Sequence, residues 1–285
     1  MICFPNAKIN IGLHVTGKRP DGFHNIESIF YPISLKDALE VVINDTTSFT
    51  QTGLQLESAP KDNLVMKAYA LMNRKYPLPA LAIFLKKAIP SGAGLGGGSS
   101  DAAFFLKLLL SLPSLHGGTT KQSKNDDYMR LLTVSECDLL EMVESLGADC
   151  PFFLHNTPAI VTGTGNIFQK SGISLKGYRI YIVKPPVSIS TKEAYAMVRP
   201  KKPAFSLAKL SSVPVYEWKY VLTNDFEQGI FNKFPVIESI KDKLYALGAE
   251  YASMSGSGSA VYGLFKNDTI LPVFDGCFTW KGILE

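Results

Sequence analysis

Three stretches of this 285-residue chain hold groups that could do chemistry. In 8–15, Lys8, Asn10, Gly12 and His14 alternate with Ile9, Ile11, Leu13 and Val15. That period of two predicts a half-buried strand with Lys8 and Asn10 pointing to one side. A solvated outer face is the plainer account of such a lysine. The second stretch, 90–103, reads PSGAGLGGGSSDAA, with five glycines from Gly92 to Gly98 and a helical pattern opening on Ser99, Ser100 and Asp101. Glycine lets backbone N–H groups approach a ligand, and a helix start adds unpaired donors and the positive dipole end. The stretch therefore predicts an anion cradle, with a polyphosphate as its natural guest. The third group is Asp149, set between the predicted helix end at Gly147 and the apolar run from Cys150 through Pro151, Phe152, Phe153 and Leu154. A lone carboxylate in that setting needs a cation or a task, because unpaired burial is costly.

Familiar phosphate motifs narrow the loop's reading. Gly92 and Gly97 have the spacing of a P-loop, but Gly98 stands where its lysine belongs. Gly92, Gly94 and Gly97 satisfy the dinucleotide pattern formally, yet no acidic residue follows about 20 positions on to hold a ribose. Protein-kinase signatures are missing from the sequence. A flexible glycine linker is the bland alternative, although linkers do not ordinarily run from a strand into an amphipathic helix.

The elements that must position these groups follow from pattern and punctuation. Pro20, Asp21 and Gly22 predict a turn after the first strand, with Phe23 and His24 directly behind it. Strands are expected at 26–33, 39–43 and 81–89, and a helix over 64–76 with Asn63 as its N-cap. The helix after the glycine loop should stop near Pro113. A polar surface excursion then fills 115–132. Ser135 with Asp138, or Thr133 with Glu136, would cap a helix ending at Gly147. Further on, strands are expected at 159–168 and 179–183, then a short helix holding Tyr195 capped by Ser190 or Thr191. Asn224, Asp225, Phe226 and Glu227 open another helical segment. Pro235 starts a helix running to Leu247, closed by Gly248, and a second glycine-serine turn at 255–259 joins two strands. Antiparallel strands first, then strand, helix and strand, indicate an α+β protein.

Composition excludes several classes. With 46% hydrophobic and 19% charged residues and a formal charge of +4, the chain reads as globular, and nucleic acid is not an expected partner. Cys3, Cys137, Cys150 and Cys277 have no CxxC spacing, which indicates reduced thiols in a cytoplasmic protein. No apolar run reaches membrane-spanning length, and Asn6, Lys8 and Asn10 occupy the place of a signal peptide's apolar core.

Taken together, FPNAKINIGL, IPSGAGLGGGSSDAA and MSGSGSAVYGLF resemble the three motifs of the GHMP kinase superfamily. RPDGFHNIES, LGADCPFFL and VSISTKEAY extend the resemblance over most of the chain. It implies a two-domain α+β fold, with a ribosomal protein S5 domain 2-like N-terminal domain at 1–160 and a ferredoxin-like C-terminal domain at 161–285. An active site between the domains is implied as well. ATP would lie against Pro90, Ser91, Gly92, Ala93, Gly94, Leu95, Gly96, Gly97, Gly98, Ser99 and Ser100. Asp149 would accept the proton of a substrate hydroxyl, with Lys8 as the second catalytic residue. The discriminating motifs imply an alcohol substrate carrying a cytidine diphosphate group, phosphorylated at its C2 hydroxyl in the non-mevalonate isoprenoid precursor pathway. Phe23, His24 and Tyr195 would grip the cytidine end and Asn10 the methylerythritol end. Phe23 departs from the tyrosine expected there, and 116–130 is longer than the family needs. Mg2+ is expected with ATP on chemical grounds. Ser100 and Asp101 are candidate contacts, but the sequence fixes no ligand set, and Asp101 reads equally as a helix-start carboxylate. A monomer or homodimer is expected. Another small-molecule GHMP kinase, acting on mevalonate, homoserine or a sugar, is an alternative, as is a non-catalytic nucleotide-binding protein on the same fold.

Overall fold

A computed structural model describes residues 1–55, 62–111, 134–267 and 269–285. The predicted excursion at 115–132, the helix end near Pro113 and the Thr133 cap lie outside the described residues. In chain order the first elements are β1 (Ile2–Cys3), β2 (Asn6–Lys18), β3 (His24–Lys36), β4 (Ala38–Ile43) and β5 (Ser48–Gly53). Then come α1 (Leu64–Lys75), β6 (Leu81–Lys87), α2 (Gly97–Leu110), α3 (Glu136–Leu146), α4 (Phe152–His155), β7 (Ala159–Thr162) and β8 (Ile167–Lys170). The rest are β9 (Arg179–Lys184), α5 (Thr191–Ala196), α6 (Trp218–Val221), α7 (Glu227–Lys233), α8 (Pro235–Ala246), β10 (Tyr251–Met254), β11 (Val261–Phe265) and β12 (Phe278–Ile283).

Packing gathers these into two compact units, one of Met1–Asn6, Lys36–Ile89 and Gly97–Asn156, the other of Ala7–Leu35, Pro90–Gly96 and Thr157–Glu285. The segments interleave, whereas the expected division was a single boundary at 160. The physical reason is strand pairing: β7, which spans residue 160, is hydrogen-bonded to β3, with Ile29 opposite Ile160. The chain order of the family domains and the packing units are thus different partitions.

In the first unit the sheet order is β1-β4-β6-β5, with β5 parallel to β6 and the other pairs antiparallel. Leu39, Val41, Ile83 and Leu85 of this sheet share one core with Val65 and Met72 of α1, Phe105 and Leu109 of α2, and Val143 of α3. The caps form where local chemistry predicts. Asn63 Oδ1 accepts from Val65 N at 2.9 Å, and Ser135 caps α3 by accepting from Asp138 N at 3.1 Å.

The second unit holds two antiparallel sheets, β2-β3-β7-β8 and β10-β11-β9-β12. The latter has the order of a ferredoxin-like sheet. However, β11 passes to β12 without a helix among the described residues. Ile237, Ile240 and Leu244 of α8 pack in one core with Ala252, Met254, Val261 and Val183. Two expectations are corrected here. The strand expected at 159–168 is the hairpin β7–β8, turned at Gly163 (φ +68°) and Gly165 (φ +106°). And β2 is buried on both faces from Asn6 to Val15, not half-buried, with Asn6, Lys8 and Asn10 finding polar partners. Among the described residues, no helix is long and apolar enough to cross a membrane.

Candidate active site

The second unit contains Lys8, Asn10, Pro90–Gly96 and the turn at 255–259. Lys8 is 2% exposed, which rules out the solvated outer face. Its Nζ donates to Asn10 Oδ1 at 2.6 Å and to the Gly94 carbonyl at 3.1 Å, and lies 4.5 Å from the centre of the Phe30 ring. Asn10 Nδ2 donates to Ser28 Oγ at 3.0 Å, and Ser28 donates onward to the Gly12 carbonyl at 2.6 Å. Strand rigidity and this relay hold the ammonium in one place.

The loop's carbonyls are tied back into the same unit over four successive residues. Gly92 O accepts from Ser259 N at 3.2 Å, Ala93 O from Ala260 N at 3.3 Å, and Leu95 O from Lys8 N at 3.0 Å. Gly94 O takes Ser255 Oγ at 2.9 Å in addition to Lys8. The second glycine-serine turn, read from sequence as a strand connection and as part of the third family motif, is therefore the clamp of the first. At Gly94 (φ +72°) an added Cβ would lie 1.9 Å from the Ser255 carbonyl oxygen, so the close approach of the two backbones requires glycine. Four consecutive carbonyls of the loop are thereby committed within the unit.

The aromatic group is partly assembled in the same unit. His24 stacks on Tyr195 with ring centres 4.7 Å apart and planes 15° apart, and Phe226 meets Tyr195 edge-on at 5.0 Å. Phe23 is 65% exposed, its N–H held by Asp21 Oδ1 at 3.0 Å. The structure thus pairs His24 with Tyr195 and leaves Phe23 at the surface. Ser190 Oγ caps α5 by accepting from Glu193 N at 3.2 Å, which fixes the turn carrying Tyr195.

In the first unit, α2 begins at Gly97, so Gly98, Ser99 and Ser100 form its first turn. The half-buried Asp149 sits in the turn between α3 and α4, where Cys150 N donates to Gly147 O at 3.0 Å and Phe153 N to Cys150 O at 3.2 Å. The buried Cys150 thiol and the Ser99 hydroxyl both lie against Gly147, so the Asp149 turn meets the first turn of α2. Burial pushes this thiol up to about 11, opposed by Ser99 and reinforced by the Asp149 charge.

Sequence reasoning missed one cluster. Lys87 Nζ binds Asp37 Oδ2 and, at 2.7 Å, Asp101 Oδ2, all three side chains being almost wholly buried. Asp37 Oδ1 also accepts the N–H groups of Ala88 at 2.5 Å and Ile89 at 2.8 Å, the two residues before the glycine loop. Asp101 is in the second turn of α2, so it is not a helix-start carboxylate. Burial pushes its carboxyl up to about 8 against the pull of Lys87, with the Asp37 charge adding to the rise. Burial works against the Lys87 ammonium, but the two carboxylates outweigh it and hold its pKa above the ordinary value. Only the Lys86, Lys87 pair at the strand end signalled charge here, and nothing local indicated an inward lysine.

Asp101 is committed to Lys87, and no group of three or more His, Cys, Asp or Glu among the described residues could hold a metal. The Ser100 hydroxyl and Asp101 Oδ1 are buried without a hydrogen-bond partner.

Comparisons with known proteins agree with this architecture. The family model for the GHMP kinases N terminal domain matches residues 63–157, and that for the GHMP kinases C terminal matches 217–270. The chain is 51% identical over 288 residues to 4-diphosphocytidyl-2-C-methyl-D-erythritol kinase of Parabacteroides distasonis, covering all of both chains. It is 49% identical to the kinase of that name from Bacteroides thetaiotaomicron, again over all of both. A crystal structure of 4-(cytidine 5'-diphospho)-2C-methyl-D-erythritol kinase superposes with a TM-score of 0.71 at 29% identity, covering 93% of this chain and 90% of that one. A homoserine kinase from Cytophaga hutchinsonii shares the fold, with a TM-score of 0.62 at 16% identity over 98% and 95% of the chains. Full-length identity to such relatives, on a fold with both family domains, means that the chain belongs to the 4-diphosphocytidyl-2-C-methyl-D-erythritol kinases of the GHMP kinase superfamily.

Proposed function

We propose that the chain transfers the γ-phosphoryl group of ATP to the C2 hydroxyl of 4-diphosphocytidyl-2-C-methyl-D-erythritol, a step of non-mevalonate isoprenoid precursor synthesis. The observation that carries the nucleotide half of this reading is the Lys8 ammonium bound to the Gly94 carbonyl. It supplies from β2 the lysine that the glycine loop lacks. Backbone N–H groups of residues 91–100 take the phosphates, and Asp149 accepts the proton as the hydroxyl oxygen attacks phosphorus and the bond to the ADP oxygen breaks. Because the transition state of such transfers is loose, the base has little proton to pull early. Alignment and charge stabilisation, here by Lys8, then supply most of the acceleration. Mg2+ enters with the nucleotide as part of the substrate.

The stacked His24 and Tyr195 support cytosine recognition, since a base offers a π-face and a hydrogen-bonding edge. We assign Asn10 to the methylerythritol end and Phe23 to the rim of the cytidine end. The family domains at 1–160 and 161–285, a cytoplasmic location, and a monomer or homodimer with no nucleic-acid partner complete the proposal. The deciding assay is ADP release from magnesium-ATP with the cytidyl alcohol, mevalonate, homoserine and a sugar offered in parallel. Turnover of the cytidyl alcohol well above the others is expected. Stronger turnover of any other alcohol would overturn the assignment.

A further inference from the structure

The segment Asn224, Asp225, Phe226 and Glu227, which sequence analysis marked only as a helix opening, touches both halves of the proposed site within one packing unit. Asn224 is buried, and its Nδ2 donates to the carbonyls of Met254 at 2.9 Å and Gly256 at 2.8 Å. Its Oδ1 accepts from Phe226 N at 3.0 Å, so both amide donors are used and the oxygen is tied to its own turn. Glu227 Oε1 takes Met254 N at 2.9 Å and Ser253 Oγ at 3.2 Å, while its Oε2 pairs with Lys241 at 2.7 Å. Two side chains therefore fix the entry to the turn at 255–259. That turn reaches the phosphate side through Ser255 Oγ, which accepts from Asn10 N at 3.2 Å and donates to the Gly94 carbonyl at 2.9 Å.

Between these residues stand two that face elsewhere. Asp225 Oδ2 accepts from Val15 N at 2.9 Å and so anchors β2, the strand that carries Lys8 and Asn10. Phe226, 2% exposed, sets its ring edge-on behind Tyr195, whose other neighbour is His24. Alternate residues of one short stretch thus brace a phosphate loop and an aromatic pair that share no sequence.

We infer that Asn224 and Phe226 are positioning residues, Asn224 setting the phosphate loop through the turn at 255–259 and Phe226 setting the Tyr195–His24 stack. The inference rests on the kinase reading for what the two halves bind. Its consequence is separability: each residue governs the affinity for a different substrate. Losing the paired amide donors of Asn224 replaces two attractions by repulsion between a carboxylate and two carbonyls, whereas trimming Phe226 removes only the back wall of the aromatic pair.

The test compares Asn224→Asp and Phe226→Leu in the full chain. KM for ATP and KM for the cytidyl alcohol are measured separately, and ADP affinity by calorimetry. Asn224→Asp should raise KM for ATP and the ADP dissociation constant about tenfold with KM for the alcohol unchanged. Phe226→Leu should raise KM for the alcohol about tenfold and leave ADP binding alone. A fall in kcat with neither constant moved, or equal rises of both constants in both variants, overturns the inference and indicates a merely structural role. Should Asn224→Asp fail to fold, Ser255→Ala reads the same link: a selective loss of ADP affinity supports it, and wild-type ADP affinity overturns it. If the wild-type chain binds ADP but turns over a different alcohol, the substrate assignment fails, while the calorimetric arm still decides Asn224.

Discussion

Replacing Gly94 by alanine tests the clamped loop directly. Residue 94 has φ +72°, which costs a residue with a Cβ about 1–2 kcal/mol. That strain alone would lower stability and leave the site in place. The collision is the larger effect: the new methyl carbon would start 1.9 Å from the Ser255 carbonyl oxygen, and ordinary contact begins at 3.4 Å. The two backbones must therefore separate by roughly 1.5 Å, and neither can do so freely. Ser255 is held through Asn10 and Ala260, and the Gly94 carbonyl through Lys8 and Ser255. Misplacement by about 1 Å costs on the order of 100-fold in rate, equivalent to about 2.7 kcal/mol of transition-state stabilisation. We expect kcat/KM for ATP to fall at least that far, read by steady-state ADP release, with a modest loss of stability read by urea unfolding. Gly248→Ala is the control, because φ there is +94° but a Cβ meets nothing within 4 Å. It should lose about 1–2 kcal/mol of stability with unchanged kinetics. A Gly94→Ala enzyme with wild-type kcat/KM would refute the argument that this close approach positions the nucleotide.

Three further outcomes follow from the other unit. Asp149→Asn should lose on the order of 10²–10⁴-fold in kcat while ADP affinity by calorimetry stays near wild type; lost nucleotide binding would count against its role as proton acceptor. Lys87→Met leaves the buried Asp37 and Asp101 carboxyl groups without their cation and should destabilise the protein by about 3–5 kcal/mol in urea unfolding, whereas loss of a surface pair would cost under about 1 kcal/mol. Asp101 is raised from an ordinary 3.8 to about 8 in the folded chain, so between those values the folded state holds a proton that the unfolded state has released. Stability from this group is full below the unfolded value and falls as pH rises toward the folded one. Asp101→Asn should flatten that decline in urea midpoints taken from about pH 5 to 8, and an unchanged slope would reject the assignment.

The legible parts of the structure were those set by neighbours in sequence. Asn63, Ser135 and Ser190 cap the helices that follow them because an N-cap needs only the next two or three N–H groups. The glycine turn into α2 was legible, since glycine spacing and the following helix are local facts. Burial of Lys8 and Asn10 was not, because their partners Gly94 and Ser255 lie 86 and 245 residues away. The alternation of β2 predicts a wet face, and long-range hydrogen bonding replaces water on it. Strands β5 and β12 escaped because SFTQTG and FTWKGI carry weak apolar patterns. Their pairing with β6 and β9 is decided by tertiary contact. The Asp37, Lys87 and Asp101 cluster draws on two strand ends and a helix interior, so no spacing rule could announce it.

The tied-back carbonyls of residues 92 to 95 have a further consequence for what the loop can sense. A peptide unit has two edges of opposite sign, and in this stretch the negative edge is consumed in holding the chain together. A cation arriving at these four residues must compete with a donor already held by each carbonyl. The loop is selective by bookkeeping of backbone atoms, with no ionisable side chain of its own from Pro90 to Ser100. Amide groups do not titrate in the physiological range, so the loop's share of nucleotide affinity should be flat with pH. Any slope in that affinity between neutral and mildly alkaline solution then reports the nucleotide's own phosphates or groups outside the loop.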